Sequence, residues 1–231
     1  MKRSKLYNSR VSAVDKAKSY KLAEALEVLQ GMPKPKFNES VDIAFKLGID
    51  PRKSDQNVRG AVSLPHGTGK NIKVVVVAQG EAAKAAEAAG ADEVGFDELI
   101  AKIKGGWVDF DVLVATPEAM QKVRTLGRVL GPRGLMPNPK TGTVTEDTAT
   151  AVNLSKAGRV EYRADKGGAA HVPFGKLSFE ADKLQENAET VIGAILRARP
   201  ATTKGHYVLT CTISATMSPG IKIDLKEYIK A

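Results

Sequence analysis

IKVVVVAQGEAAKAAEAAG, residues 72–90, joins a run of apolar β-branched residues to a run rich in alanine. A continuous β-branched run such as 72–78 is typical of a strand that is buried on both faces, as in a parallel sheet. Residues 81–90 favour a helix, because alanine and glutamate are good helix formers and Gly90 can end the helix. The stretch therefore predicts a βα unit.

The residues that follow this unit continue the alternation of strand and helix. They predict a short strand near Val94, a helix over 97–104, a strand over 111–115, a helix start with Thr116 as N-cap and Pro117 in the first turn, and a last helix over 146–156. Repeated βα units build a mostly parallel sheet with helices packed on it. We predict a Rossmann-like α/β domain in the middle of the chain.

Both ends of the chain instead show half-buried strands, in which apolar and polar residues alternate. The elements predicted there are helices over 20–30 and from 182 onward, and strands over 41–47, 57–64, 160–164, 170–179 and 209–216. A stable sheet needs three or more strands with a covered face. Neither end of the chain alone offers enough strands for such a sheet. We predict that the two ends fold together as one α+β sandwich domain.

The predicted boundaries are residues 1–69 and 159–231 for the discontinuous α+β domain and 70–158 for the inserted α/β domain. Glycine-bearing crossings at about 66–70 and 155–159 join the domains and could act as a paired hinge. Residues 1–69 hold 13 basic and 7 acidic groups, and residues 159–231 hold 11 basic and 8 acidic groups. Residues 70–158 hold 11 of each. The whole net charge of +9 therefore falls in the discontinuous domain.

Composition argues against several classes of protein. The longest uninterrupted apolar run, 74–78, is far shorter than the roughly 20 residues that cross a bilayer, and the amino end has no apolar stretch of signal-peptide length. We expect a cytoplasmic protein without membrane association. The single cysteine, Cys211, excludes an internal disulfide and a cysteine-based zinc cage. We expect no cofactor and no metal.

Motifs of nucleotide-dependent enzymes are incomplete in this sequence. GTGK, residues 67–70, is similar to the end of a phosphate-binding loop, but Leu64 stands where the motif needs glycine and Asn71 where it needs serine or threonine. No G-x-G-x-x-G follows a buried strand, and the three histidines lack metal-ligand spacing. We expect that the protein is not an enzyme. A small-ligand or nucleotide enzyme and a nonspecific nucleic-acid coating protein remain as alternatives.

Three segments of the chain resemble one known family. LGRVLGPRGLMPNPKTGTV (126–144), LGIDPRKSDQNVRGAVSLPHGTGK (47–70) and AGADEVG (89–95) are similar, in the same order, to the first protein of the large ribosomal subunit, bacterial type. The resemblance extends from about Tyr20 to Lys222. It implies a two-domain protein of the mobile stalk beside the tRNA exit site, a monomer when free, whose discontinuous domain binds folded large-subunit ribosomal RNA. It also implies help in the release of deacylated tRNA and repression of translation through its own operon messenger RNA.

Three turns of the discontinuous domain suit folded RNA, which is recognised through backbone, 2′-hydroxyl and stacking contacts. Segments 34–40, 165–171 and 216–220 supply cations, hydroxyls and apolar side chains. The resemblance assigns RNA contact to matching positions: Lys36, Phe37, Ser40, Asp165, Lys166, His171, Thr216, Met217 and Ser218. Ser218 departs from the family, which has glycine there, and its side chain could crowd the RNA or donate a new hydrogen bond.

These assignments have structural alternatives. By strand parity alone, Phe37 and Met217 fall in line with the core positions of the adjoining predicted strands, and core is the commoner outcome of such a pattern. His171 is by default a surface histidine, and Asp165 with Lys166 a polar turn. Only the resemblance favours RNA contact over these alternatives.

Residues 119–145 form a second basic segment, with five basic side chains and no acid. Its four glycines and three prolines predict an exposed cationic loop rather than a continued helix or a central strand. A cationic loop suits a phosphate backbone, although a solvated surface loop is about as common. Because the surrounding domain has no net charge, we assign Arg128, Arg133 and Lys140 to a transient contact with exit-site tRNA or neighbouring ribosomal RNA.

Overall fold

The computed structural model describes residues 3–229. The chain divides into two compact units, one that runs to Gly69 and resumes at Val160, and one that comprises Lys70–Arg159. We call them the discontinuous unit and the inserted unit.

The helices and strands of residues 3–229 have the following bounds. The α-helices are α1 Lys5–Ser12, α2 Leu22–Gly31, α3 Gly80–Ala88, α4 Asp97–Lys104, α5 Met120–Val123, α6 Gly127–Leu130, α7 Thr148–Lys156, α8 Ala181–Arg197 and α9 Lys226–Ile229. The strands are β1 Ser40–Leu47, β2 Arg59–Ser63, β3 Val74–Val77, β4 Glu93–Gly95, β5 Val112–Ala115, β6 Arg159–Arg163, β7 Ala169–Lys176, β8 Val208–Ala215 and β9 Ile221–Ile223. Short 3₁₀ turns cover Ser54–Gln56, Arg124–Leu126 and Pro139–Thr141.

The inserted unit is built on a parallel sheet in the order β4-β3-β5. All four residues of β3 are buried, because helices cover both faces of the sheet. Val74 and Val76 pack with residues of α3 and α7, whereas Val75 and Val77 pack with residues of α4, α5 and α6. The predicted parallel α/β architecture is confirmed.

The segment 119–145 differs from the predicted exposed loop. Its first half forms α5, a 3₁₀ turn and α6, which bury Val123, Leu126 and Leu130 in the core of the inserted unit. These apolar residues recur at helical spacing and anchor the segment. The glycines and prolines limit the length of each helix without preventing helices, since the prolines all follow α6.

The discontinuous unit contains an antiparallel sheet in the order β7-β1-β8-β9 and a two-stranded sheet of β2 and β6. Strand β1 lies between two strands that follow the inserted unit in sequence. Helices α2 and α8 pack on one face of the larger sheet and bury Leu26, Val191 and Ile195 against Ile43 and Phe174. The predicted α+β class is confirmed.

No helix within residues 3–229 is long and apolar enough to span a membrane.

Candidate nucleic-acid interface

The larger sheet of the discontinuous unit has a second, open face. Burial alternates along β1, so that every other side chain points away from the core covered by α2 and α8. The side chains of this open face are Ser40, Asp42, Ala44 and Lys46 on β1, His171 and Pro173 on β7, Thr210, Thr212 and Ser214 on β8, and Lys222 on β9. Small residues, hydroxyls and cations suit contacts with an RNA backbone and its 2′-hydroxyls.

One end of the open face joins two of the predicted residues, Ser40 and Thr216. The Ser40 amide donates to Thr216 Oγ1 at 3.2 Å, and the Thr216 amide donates to the Ser40 carbonyl oxygen at 3.1 Å. Lys176 Nζ donates to Ser40 Oγ at 2.8 Å. Sequence reasoning missed Lys176, which reaches this point because β7 pairs it with Ser40, beyond a β-bulge that lies between Val41 and Asp42.

A buried carboxylate holds the same end of the sheet together. Glu39 is 1% exposed, and its Oε1 accepts a hydrogen bond from the Met217 amide at 2.8 Å. Arg10 of α1, also 1% exposed, donates to both Glu39 oxygens at 2.9 and 2.8 Å. Burial alone would raise the pKa of Glu39, but the Arg10 guanidinium and the Met217 amide hold the pKa below its ordinary value. Sequence reasoning missed both residues.

Phe37 and Met217 are solvent-exposed at this end. Phe37 is 53% and Met217 47% exposed, and Lys36 beside Phe37 is exposed as well. The core alternative from strand parity is wrong for both side chains. Phe37 precedes the first residue of β1 and Met217 follows the last residue of β8, so the alternation of the strands does not extend to them.

Ser218 directs its hydroxyl toward its own turn. The Ala215 amide donates to Ser218 Oγ at 2.7 Å, and the hydroxyl donates to the Pro219 carbonyl oxygen at 3.0 Å. Among residues 3–229 every residue with a positive φ is a glycine, so the serine adopts an ordinary backbone conformation. The serine therefore fits here without backbone strain, and its hydroxyl stabilises the turn.

Asp165 and Lys166 lie at the opposite end of the sheet. Asp165 Oδ1 accepts hydrogen bonds from the amides of Gly167 and Ala169, both at 2.8 Å, and these contacts lower the pKa of Asp165. The turn packs beside Leu47, whose amide donates to the Gly168 carbonyl oxygen at 2.8 Å. Because β1 rises about 3.3 Å per residue, this end lies roughly 20 Å from Ser40.

His171 and Asp42 occupy the space between the two ends. His171 pairs with Ala44, and Asp42 pairs with Pro173 and with Ser214. Partial burial raises the pKa of Asp42, an effect that His171 and Lys176 oppose through their charge. The predicted residues therefore form two patches, one at each end of the larger sheet, with His171 on the open face between them, rather than a single cluster.

The three cations assigned to a transient contact lie on the inserted unit. Arg128 on α6, Arg133 in the turn after it, and Lys140 in the 3₁₀ turn are all exposed. The Lys140 amide donates to Asn138 Oδ1 at 2.8 Å, which caps the 3₁₀ turn. Within residues 3–229, no group of three or more His, Cys, Asp or Glu side chains could hold a metal ion.

Comparison with known families agrees with the geometry of the discontinuous unit. The model of the ribosomal protein L1p/L10e family matches residues 27–219, which is most of the chain. Members of this family are structural, non-enzymatic constituents of the cytoplasmic large ribosomal subunit that bind its RNA. The match includes both patches of the open sheet face and the whole inserted unit. The chain belongs to the ribosomal protein L1p/L10e family.

Proposed function

We propose that the open sheet face of the discontinuous unit is the surface that binds large-subunit ribosomal RNA. The observation that carries the proposal is the exposure of Phe37 and Met217 next to the hydroxyls of Ser40 and Thr216. Exposed apolar side chains beside hydroxyls and cations can stack on a base or ribose while the polar groups bind the RNA backbone. The other predicted residues, Lys36, Asp165, Lys166, His171 and Ser218, complete the contact set.

Charge supports the same surface. The segments that build the discontinuous unit, to Gly69 and from Val160, carry a net charge of +8, whereas Lys70–Arg159 carries only +1. Neutralising RNA phosphates releases bound counterions, so affinity should fall as salt rises, with a log-log slope of about 0.7–0.9 for each phosphate contact. Titration of a labelled stalk RNA fragment at several salt concentrations measures this slope. Binding that does not depend on salt, or that excess unrelated RNA abolishes, would contradict the proposal.

We also propose that the protein is a bacterial-type member of the family and that it represses translation of its own operon by binding the messenger RNA with the same face. The proposal requires that messenger and ribosomal fragments compete for one site. Phe37→Ala should then weaken both complexes by the same factor. A variant that loses only the ribosomal fragment would show that the messenger binds elsewhere.

The inserted unit is proposed to assist release of exit-site tRNA through Arg128, Arg133 and Lys140. Replacing the three cations with alanine should slow tRNA release from ribosomes, while affinity for the stalk RNA fragment stays unchanged. Lys84→Ala with Lys104→Ala is the matched control, since both lysines are exposed on helices of the same unit. Equal rates of tRNA release in the triple variant and in the control variant would refute a role of Arg128, Arg133 and Lys140 in tRNA release. The glycine-bearing crossings at 66–70 and 155–159 would serve as the hinge for this contact.

The structure favours RNA binding over the enzyme alternative. Open α/β sheets bind ligands beyond the carboxyl ends of their strands. In the inserted unit this crevice has a volume of about 180 Å³ and is lined by Gln79, Phe96, Thr116 and the acids Glu118 and Glu146. Ligand sites commonly occupy about 300–1,000 Å³, and two carboxylates repel phosphate. Calorimetric titration with nucleotides should therefore give no binding heat.

A further inference from the structure

Helix α1, which precedes the segment matched by the family model, is held firmly against the candidate RNA interface. Besides its contacts with Glu39, the Arg10 guanidinium donates to the Pro33 carbonyl oxygen from Nε at 2.8 Å and from Nη2 at 2.6 Å. Val14, just after the helix, is buried in the core of the discontinuous unit. The position of α1 is therefore set by buried contacts rather than by its exposed surface.

One carboxylate links α1 to the turn that carries the exposed methionine. Glu39 accepts from Arg10 on one side and from the Met217 amide on the other. Two segments more than 200 residues apart in sequence are thereby held in a common arrangement. They form the two walls of a groove.

This groove lies between the start of α1 and the turn after β8. It has a volume of about 430 Å³, is open to solvent, and is lined by Arg3, Ser4, Tyr7, Thr216, Met217 and Ser218. The guanidinium carbon of Arg3 lies 4.6 Å from the centroid of the Tyr7 ring. The lining thus combines one cation, an aromatic ring, an exposed thioether and hydroxyls, without an acid.

We propose that this groove is a subsite for one unpaired nucleotide of the bound RNA, with its phosphate at Arg3 and its base or ribose between Tyr7 and Met217. Unpaired bases bind by stacking on aromatic side chains and guanidinium planes, and phosphates bind arginine. The subsite continues the proposed interface, because Thr216 and Met217 belong to both. The inference therefore rests on the proposed function.

The test compares affinities for the labelled stalk RNA fragment. Arg3→Ala should weaken binding about tenfold, as expected for loss of a stacked and charged contact, and should lower the salt slope by about 0.7–0.9. Arg3→Lys should restore the slope but only part of the affinity, because lysine lacks the planar group. Lys5→Ala is the matched control, since it removes one exposed cation two residues further along the chain, in the first turn of α1, and should change affinity less than about twofold.

A second readout locates the nucleotide itself. Acylation of RNA 2′-hydroxyls should show one unpaired nucleotide that becomes reactive with Arg3→Ala and Tyr7→Leu but stays protected with Lys5→Ala. If Arg3→Ala and Tyr7→Leu match Lys5→Ala in affinity and protection, the subsite is refuted. Phe37→Ala, measured alongside, separates the two hypotheses. Its failure to weaken binding would refute the proposed interface, whereas a weakened Phe37→Ala complex with a normal Arg3→Ala complex would refute the subsite alone.

Discussion

Replacing Arg10 with methionine is expected to destabilise the discontinuous unit by about 3–5 kcal/mol, the usual cost of removing one partner of a buried ion pair. Methionine keeps most of the length and apolar packing of arginine but has no guanidinium. The substitution leaves the Glu39 carboxylate with the Met217 amide as its remaining donor and removes both donors to the Pro33 carbonyl oxygen. The two hydrogen bonds to the Glu39 carboxylate contribute about 1.5–3 kcal/mol each, which agrees with a loss of this size.

Urea unfolding followed by circular dichroism measures the loss of stability. The single tryptophan, Trp107, lies in the inserted unit, so its fluorescence provides a reference transition that the substitution should leave unchanged. Hydrogen exchange at the Met217 amide should accelerate, because its acceptor is no longer held in place. The double variant Arg10→Met with Glu39→Gln should lose less stability than the sum of the losses in the two single variants. The expected difference, which is the coupling free energy of the pair, is about 2–3 kcal/mol.

The pH dependence gives a sharper test of the same reasoning. In the native protein the pKa of Glu39 lies below its ordinary value of 4.5, so its contribution to stability is present above that pH and is lost as pH falls through the lower folded pKa. Without the guanidinium, burial should raise the pKa of Glu39. The charged carboxylate then lowers the free energy of unfolding, and this loss grows as pH rises through the raised pKa. The difference between native and Arg10→Met stability should therefore be largest at neutral pH and shrink below about 4.5.

Glu39→Gln supplies the control, since no carboxyl group titrates at that position. In the Glu39→Gln background, the cost of Arg10→Met should not change between neutral and acidic pH. A loss below about 1 kcal/mol at neutral pH, the range of exposed ion pairs, would refute the buried-pair reasoning, as would a cost that is independent of pH in the native background.

Three further predictions concern the interface and the two units. Phe37→Ala should weaken binding of the stalk RNA by about 1–3 kcal/mol if the ring stacks on a base or ribose, whereas Ile229→Ala, a similarly exposed apolar residue on α9, should leave affinity unchanged; equal effects would remove Phe37 from the interface. Cys211 is buried and its pKa is raised to about 12, so it should react with thiol reagents only when the sheet opens; fast labelling of the folded protein would contradict its position in the core. A variant in which a short glycine linker replaces 70–158 should keep its affinity for the RNA. Loss of binding by the folded variant would show that the inserted unit contributes to RNA binding.

The regular elements could be predicted from the sequence because their patterns are local. The helix over 97–104 agrees with α4, and the β-branched run at 72–78 contains β3. Helix α1 and strand β9 were not predicted. Strand β9 has three residues and forms because β8 pairs with it, and α1 depends on a buried ion pair between positions 29 residues apart. Neither interaction leaves a periodic signal.

The candidate site could be predicted only where chemistry and the resemblance agreed. Strand parity placed Phe37 in line with Val41 and the core, but Glu39 takes the buried position between them and Phe37 stays in solvent. In the sequence, the acid Glu39 at a position where the alternation predicts an apolar core residue looks like a break in the pattern. Its burial is explained only by its partner Arg10. The separation of the predicted residues into two patches could not be predicted from the sequence either. It depends on the length of β1, which sets the distance between the two ends of the sheet, and not on any motif.

The strand order explains why an interface assembled from both ends of the chain tolerates a large insertion. Strand β1 lies between β7 and β8, so Ser40 meets Thr216 only after residues on both sides of the inserted unit have come together. The entropic cost of closing a loop grows with the logarithm of its length, so a roughly fourfold longer connection between β1 and β7 costs only about 1 kcal/mol. Burial of residues such as Ile43 and Phe174 in the shared core more than offsets this cost. The RNA-binding sheet can therefore carry a second folded unit between two of its adjacent strands without losing the geometry on which the proposed contact depends.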